Sequence, residues 1–448
     1  MKTSQIMNLT SNKNIFNTAY PICLTLIAQN IINVTDTAFL GHVSEVALGA
    51  SAIAGMFYIA VYIVGFGFSQ GTQILIGRRN GERDYPKIGL IFNNGLLFNL
   101  LLSIAVFAFS YFQISNIINF LVNSEEVYNA VLEYLDWRIY GFFFSFFNIM
   151  FRSLYVGITK TRVLSVSAII TSLTNVFFDY AMIFGNFGFP ELGIAGAAIA
   201  SVIAEFVTFL FLLGYTIFKM DTKRYALFSF SKIDFKIIKQ MLGLSIFIMF
   251  QFFISTSTWF LFFIFIEHMG ERPLAITNIG RSLYMLLMIP GVALSTTINT
   301  LVSNLIGAGR KNEVVPFINR MVKVTFMLVV PITIFTFAFP ELITQIYTDD
   351  IDLMKASVPV IRVVSIAMTF CAVGNVIFNS VSGTGNTRTA FLIEFVTMFF
   401  YIAYIYYTAI INPSTTAVVW LSEFVYWILI GALGYWYLKK GNWQKKEI

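Results

Sequence analysis

The chain has 448 residues, of which 57% are hydrophobic and only 12% are charged, and its mean hydropathy is +0.77. Soluble domains carry about a quarter charged residues, so this composition excludes an ordinary soluble protein and predicts a membrane protein. Basic cytoplasmic loops and anionic lipid explain the net charge of +6, so we expect a lipid bilayer as a partner and no nucleic acid.

Apolar stretches of roughly 20 or more residues, long enough to cross a hydrocarbon core of about 30 Å, recur along the whole chain. Their length and lack of strict alternation favour helices over a transmembrane barrel. The first 14 residues are polar, so a cleavable signal peptide is not expected. We predict twelve transmembrane helices, over 15–40, 46–76, 88–110, 131–155, 163–184, 194–218, 241–266, 274–306, 324–346, 359–381, 390–411 and 417–438.

The distribution of Lys and Arg predicts how these helices are oriented. Alternate loops, beginning with the N-terminal segment, hold most of the 29 basic residues, whereas the other loops are mainly acidic. Because cytoplasmic loops carry an excess of Lys and Arg, both termini are expected in the cytoplasm and the protein in the plasma (inner) membrane. Cys23 and Cys371 fall inside apolar spans and are expected to be core thiols.

The chain repeats itself at a constant offset of 226 residues. FLGHVSEVAL at 39–48 aligns with FIEHMGERPL at 265–274, and GITKTR at 157–162 aligns with GTGNTR at 383–388. Each half has an even number of predicted helices, so the copies share one orientation. The fold class is therefore an all-α integral membrane protein with two six-helix lobes, related by pseudo-two-fold symmetry along the membrane normal. The expected domains are residues 1–218, a cytoplasmic linker 219–240, and residues 241–448.

Polar side chains on two predicted helices form the first candidate site. Gln29, Asn33 and Asp36 share one face of predicted helix 1, and Asn175 and Asp179 share one face of predicted helix 5. Both carboxylates lie about four or five residues from an outer helix end, so they share one depth. Poorly solvated carboxylates that meet repel each other, so such a pair retains a proton or recruits a cation. The alternative is that each acid snorkels or pairs with a lysine near the interface.

Two further residues are candidates for function. Glu205 lies near the middle of predicted helix 6 and, like Gln29, is a candidate to line a substrate cavity, where it would contact a cationic substrate. The alternative for Glu205 is a buried pair with Arg281 or a polar neighbour. Pro21 removes a backbone hydrogen bond from predicted helix 1 and is a hinge candidate, the alternative being a static bend.

Two further groups of residues lie within or near the predicted helices. Charged residues near helix ends are expected to snorkel or to bridge helices: Arg138, Arg152, Arg362, Glu394 and Glu423. Aromatic and methionine side chains that are candidates to line a cavity are Phe144, Phe147, Met150, Met285 and Met288.

Several motifs together resemble the multidrug and toxic compound extrusion (MATE) family. They are NVTDTAFLGH at 33–42, the IGRRNG and IGAGRK turns after predicted helices 2 and 8, the paired GITKTR and GTGNTR turns, and NVFFD at 175–179. The resemblance is strongest to the prokaryotic branch that includes the DNA-damage-inducible protein F type. It implies a coupling-ion site at Asp36, Asn175 and Asp179. Another branch has a further aspartate on helix 10, which this sequence lacks.

The function expected from residues and resemblance is secondary active multidrug efflux by alternating access. Lipophilic organic cations or other drugs would leave in exchange for sodium ions or protons. We expect a monomer without a cofactor, and no metal except Na⁺ at Asp36, Asn175 and Asp179.

The alternatives are a lipid or oligosaccharide flippase of the same superfamily and an intramembrane aspartyl protease. The chain has no HExxH, GxSxG, Walker or CxxC motif, so we do not expect an enzyme.

Overall fold

A computed structural model describes residues 10–230, 233–446 and 448, and within them it contains helices and no β-strand. The helices of the first part of the chain are α1 Asn12–Val43, α2 Glu45–Glu82, α3 Tyr85–Leu121, α4 Glu125–Arg138, α5 Gly141–Gly157, α6 Arg162–Ile183, α7 Gly193–Lys219 and α8 Thr222–Tyr225. Those of the second part are α9 Phe235–Glu267, α10 Glu271–Gly307, α11 Val314–Ala338, α12 Pro340–Thr344, α13 Ile351–Gly383, α14 Thr387–Tyr406, α15 Thr416–Trp420 and α16 Ser422–Lys440.

The long helices confirm the predicted membrane spans. Among the described residues, eleven helical segments are long and apolar enough to cross a membrane, and the bent pair of α4 and α5 makes a twelfth. Most helices extend beyond the predicted bounds, but the ninth, predicted over 324–346, begins ten residues earlier and ends at Ala338.

The fourth span is broken, whereas we predicted one continuous helix over 131–155. It begins earlier than expected, where the Ser124 hydroxyl accepts a hydrogen bond from the backbone N–H of Val127 at 3.4 Å. α4 ends at Arg138, and α5 starts at Gly141 with a bend of 53° between them. A β-carbon at Gly141 would collide with the Arg138 guanidinium, so the bend brings that charged group back over a residue without a side chain.

By their contacts, the described residues form two compact units. One unit is Tyr20–Met249, and the other joins the residues up to Ala19 to Phe250–Ile448. These boundaries differ from the expected 1–218 and 241–448 because α1 and α9 are each shared between units. Hydropathy marks where a helix lies in the sequence but does not show which neighbours its two halves contact.

The first half of α9 packs against α2 in the N-terminal unit because α2 offers glycines there. At Gly67 a β-carbon would lie 2.8 Å from Cγ of Met249, and at Gly71 it would collide with Ser245. The Ser245 hydroxyl donates a hydrogen bond to the carbonyl oxygen of Phe68 at 3.0 Å. Small residues four apart thus let two membrane helices approach closely.

Two asparagines of α3 hold the expected linker segment against the N-terminal unit. The Asn93 side chain donates to the carbonyl of Ala226 at 3.0 Å and accepts from the N–H of Phe228 at 2.9 Å. Asn94 accepts from the N–H of Asp234 at 2.9 Å. α9 begins one residue later, six residues before the predicted span, because its first turns are polar.

The C-terminal unit is built around α13, which packs along α10 and also contacts α11 and α16. Its buried core includes large aromatic side chains from three helices, Phe262, Trp420 and Trp427. Of these three side chains, Trp427 also lines a cavity beside α10.

Candidate functional site

The N-terminal unit contains a cavity of about 420 Å³ whose lining is rich in polar groups. α1 contributes Gln29 and Asn33, α6 contributes Asn175, and α7 contributes Glu205. Four of the residues singled out in the sequence therefore meet around one space. Serine, threonine and tyrosine hydroxyl groups complete the polar lining.

The two aspartates lie one helical turn beyond Asn33 and Asn175. Asp179 is completely buried and Asp36 is half-buried. Their carboxyl groups lie side by side, close enough to share a hydrogen bond if one of them carries a proton. The structure thus brings together the two acids whose shared depth was predicted from helix lengths.

No hydrogen-bond donor in the described part of the chain reaches either carboxylate oxygen of Asp179 or Oδ1 of Asp36 with good geometry. Asn175 lies beside Asp179, yet its own Oδ1 is also without a partner. Buried polar atoms are nearly always paired. Unpaired acceptors on neighbouring side chains are what a proton or a hard cation would satisfy.

Glu205 forms an ion pair with Arg138, not with Arg281, which we had considered as its partner. The guanidinium makes a two-pronged contact, with Nη2 2.7 Å from Oε1 and Nη1 3.0 Å from Oε2 of the carboxylate. The Tyr58 hydroxyl donates to the same carboxylate at 3.1 Å, and Arg138 lies 3.6 Å above the Tyr58 ring. Arg138 therefore bridges helices, one of the two roles expected for it.

The bend in the fourth span places Arg138 for this contact. Arg138 is the last residue of α4, where the carbonyl end of the helix favours a positive charge. The guanidinium extends across Gly141, the first residue of α5. The sequence did not predict this ion pair, because one continuous helix over 131–155 does not show that a helix ends at Arg138.

Arg152 gives the cavity a second positive charge. Its Nη1 atom has no hydrogen-bond partner among the described residues, and its guanidinium lies 5.3 Å from the Phe66 ring centre. Arg152 was expected to snorkel or bridge helices, yet it lines the cavity. Two arginines and one glutamate thus face this space.

α5 presents polar residues to the cavity, not the side chains that we had considered. Ser145, Asn148 and Arg152 lie on its cavity side, at helical spacing. Phe144 packs on Phe206 at a ring-centre distance of 4.9 Å, away from the lining. Phe147 packs likewise on Phe209, and Met150 is buried in the core. The polar spacing was visible in the sequence and could have identified this face.

Pro21 lies within a helix that continues on both sides of it. The Thr25 hydroxyl donates to the Pro21 carbonyl at 2.9 Å and to the Leu164 carbonyl at 3.3 Å. Ser165 of α6 also donates to the Pro21 carbonyl at 3.3 Å. Hydroxyl groups therefore join α1 to the start of α6 at the proline.

The chain matches known proteins along most of its length. The family description MatE matches it twice, at residues 21–181 and 248–407, with nearly the offset found between the repeats. The sequence is 26% identical over 392 residues to a probable multidrug resistance protein NorM of Thermotoga maritima, covering 86% of this chain and 83% of the relative. It is 23% identical over 386 residues to a multidrug resistance protein NorM of Photobacterium profundum, covering 84% and 83%.

The fold is also that of a solved structure described as the outward-facing conformation of a multidrug resistance MATE family transporter. The TM-score is 0.89 at 16% identity, and 98% of each chain is covered. The long apolar helices define a multi-pass membrane protein, and the likeness to the solved structure shows that it has the same fold. The two matches to the family description cover more than half of the chain, and the chain belongs to the MatE family.

Proposed function

We propose that this protein is a secondary active multidrug efflux antiporter. It would export lipophilic organic cations in exchange for sodium ions or protons, by alternating access. The observation that carries this proposal is the pair Asp36 and Asp179. The Asp179 carboxylate is completely buried, has no hydrogen-bond donor among the described residues, and lies against the second carboxylate. The multidrug resistance names of the NorM relatives support the drug class of the cargo.

The pair has the chemistry of a coupling site. With both carboxylates ionised, their repulsion in a poorly hydrated place is unfavourable, and one bound cation or proton removes it. A ligand shifts a conformational equilibrium only if it binds one state better than the other. A coupling ion that binds the pair more tightly in one state of the transporter therefore shifts the equilibrium toward that state.

Both coupling ions fit the groups present. A proton would sit between Asp36 and Asp179, whereas sodium would also use the unpartnered Oδ1 of Asn175. The two cases differ in which ion gradient drives transport. Transport in proteoliposomes, measured under a sodium gradient alone and under a proton gradient alone, identifies the driving ion.

The main test replaces each acid with its amide. Asp36→Asn and Asp179→Asn keep size but remove the ionisable group, so each is expected to abolish gradient-driven uptake of a fluorescent organic cation into inverted vesicles. The double variant should be little worse than either single variant, because the two acids act as one site.

The matched control is Asp136→Asn, which changes an exposed aspartate of α4 and should transport as the wild type does. Each variant must purify as a monodisperse protein. Wild-type coupled rates in both Asp36→Asn and Asp179→Asn would contradict the assignment of this site.

The protein is proposed to be a monomer in the plasma (inner) membrane, with both termini in the cytoplasm. The basic loops support this orientation. Accessibility of single cysteines, introduced into the loops at 84 and 349, to a membrane-impermeant thiol reagent tests it: only the second should react in intact cells.

A lipid or oligosaccharide flippase is the second candidate, because Arg152 lines the cavity and its Nη1 atom has no hydrogen-bond partner among the described residues. An anionic phosphate headgroup would pair with such a guanidinium. Movement of a fluorescent anionic lipid between leaflets, measured by dithionite quenching in proteoliposomes, would favour this function if Arg152→Gln abolished it.

A further inference from the structure

The segment between the two halves of the chain, residues 219–240, is strongly basic. It contains six Lys and Arg residues but only two aspartates. Four of its lysines are exposed on the N-terminal unit: Lys219, Lys223, Lys236 and Lys239. Clusters of this size next to a transmembrane helix are typical of sites that attract anionic lipid.

Phenylalanine side chains are exposed in and beside the same segment. Phe218, Phe230 and Phe235 are 83%, 60% and 77% exposed. Phe218 precedes Lys219 at the end of α7, and Phe235 precedes Lys236 at the start of α9. An exposed aromatic ring next to a lysine suits the boundary of a bilayer, where the ring leaves water and the ammonium group stays at the polar surface. We call these three phenylalanines and the four exposed lysines the linker face.

The two aspartates of the segment bind backbone groups. The Asp221 carboxylate accepts a hydrogen bond from the N–H of Arg224 at 3.0 Å. The Asp234 carboxylate accepts from the N–H groups of Lys236 at 2.9 Å and Ile237 at 3.3 Å, at the start of α9. Among the described residues, no lysine of the linker face takes part in an ion pair. Its positive charges are therefore open to a partner from outside the chain.

Buried contacts fix the other side of the segment on the N-terminal unit. Asn93, which bonds the segment at two other points, also donates to the carbonyl of Ser229 at 3.2 Å. The buried Tyr225 ring packs on Tyr85, with ring centres 5.1 Å apart. A β-carbon at Gly89 would collide with the Tyr225 carbonyl, so a glycine lets the segment approach α3 this closely. The segment is thus positioned before any partner binds, which lowers the entropic cost of binding.

We propose that the linker face binds anionic lipid headgroups, with its lysines against the phosphate groups and its phenylalanines at the edge of the hydrocarbon core. Charge complementarity identifies an anionic partner, and the exposed rings favour a lipid surface over a soluble anion. Lys160, in the loop between α5 and α6, adds positive charge nearby, with Nζ 6.0 Å from the Tyr225 ring centre. The proposed orientation of the chain makes this the cytoplasmic leaflet. Lipid binding itself requires neither that orientation nor ion coupling.

The test measures lipid binding to purified full-length protein in detergent, by native mass spectrometry. The wild-type protein should bind phosphatidylglycerol, which is anionic, at least ~5-fold more tightly than zwitterionic phosphatidylcholine. A fourfold variant should lose this preference: Lys219→Gln, Lys223→Gln, Lys236→Gln and Lys239→Gln. The matched control makes the same change of charge at exposed lysines of the other unit and should keep the preference: Lys13→Gln, Lys323→Gln, Lys439→Gln and Lys446→Gln.

A second variant, Phe230→Ser with Phe235→Ser, keeps every charge and removes two exposed rings, so it should weaken phosphatidylglycerol binding several-fold. Millimolar inorganic phosphate should not displace the lipid, because it offers nothing for the rings to contact. Equal binding of both lipids by the wild-type protein, equal losses in the two lysine variants, wild-type affinity in the phenylalanine variant, or displacement by phosphate would each overturn the proposal. Asp36→Asn should bind lipid as the wild type does, so failure of the coupling proposal is distinguishable from failure of this one.

Discussion

At the scale of single residues, Arg138 and Glu205 show how one missing side chain allows a buried ion pair. The guanidinium lies in the space that a β-carbon at residue 141 would occupy, and the Glu205 carboxylate lies beside it. A buried charge that loses its partner is strongly destabilising. The absence of a side chain at Gly141 is therefore a requirement of the pair.

Gly141→Ala is expected to lower the stability of the protein by about 1–3 kcal/mol, the usual cost of overpacking. The new methyl group displaces Arg138 from Glu205. Thermal unfolding in detergent, followed by circular dichroism, measures the effect.

The control for this change is Gly214→Ala in α7, where a β-carbon would meet no atom within 4 Å. That substitution should leave stability unchanged or raise it by up to ~1 kcal/mol, because alanine favours helix. Equal losses in the two variants would show that the clash at residue 141 is absorbed elsewhere.

The sequence alone identified the unusual acids but not the partner of Glu205. Asp36, Asp179 and Glu205 were found because charge inside an apolar span is rare, and helix lengths placed the two aspartates at one depth. Glu205 and Arg138 are separated by 67 positions in the chain. Which of several arginines pairs with Glu205 depends on how helices pack sideways, and hydropathy carries no record of that packing.

At the scale of elements, α1 contains the proline expected to act as a hinge. Pro21 has no backbone N–H, so the helix lacks one internal hydrogen bond there. The hydroxyls of Thr25 and Ser165 donate to the carbonyl of Pro21 itself, which is not the acceptor that the missing N–H would have served. We propose that α1 bends between states at this point, where it lacks a backbone bond.

Pro21→Ala should restore the missing helix bond and slow turnover several-fold, with little change in the affinity for the organic cation. Initial rates of gradient-driven transport in vesicles, compared with binding affinities in detergent, separate the two effects. Pro331→Ala, at an exposed proline within α11, is the matched control. Unchanged transport in Pro21→Ala would leave the proline as a static bend.

At the scale of the whole molecule, exchange of cargo for ion requires that the two ligands affect each other's binding. If the coupling ion lowers the affinity for an organic cation by some factor, the organic cation must lower the affinity for that ion by the same factor. This reciprocity holds for binding free energies whatever the distance between the sites.

We expect sodium or acid, whichever ion drives transport, to raise the apparent Kd for tetraphenylphosphonium by about 5-fold or more, the lower end of typical coupling. Isothermal titration at several sodium concentrations and pH values measures it. Asp179→Asn should remove the dependence and leave a constant Kd. A dependence that persists in Asp179→Asn would place the coupling ion elsewhere.

The sequence by itself determined the class of protein, the number of helices and the acids that do not belong in an apolar environment. These follow from local properties, since each helix that crosses a bilayer must be apolar over its own length. Only the tertiary structure decided that Arg138 pairs with Glu205, that Arg152 faces a cavity, and that Glu423 lies in an aromatic cavity with no basic side chain among the described residues that line it. Those results depend on contacts between helices distant in the chain, where the position of one bend decides whether a buried charge has a partner.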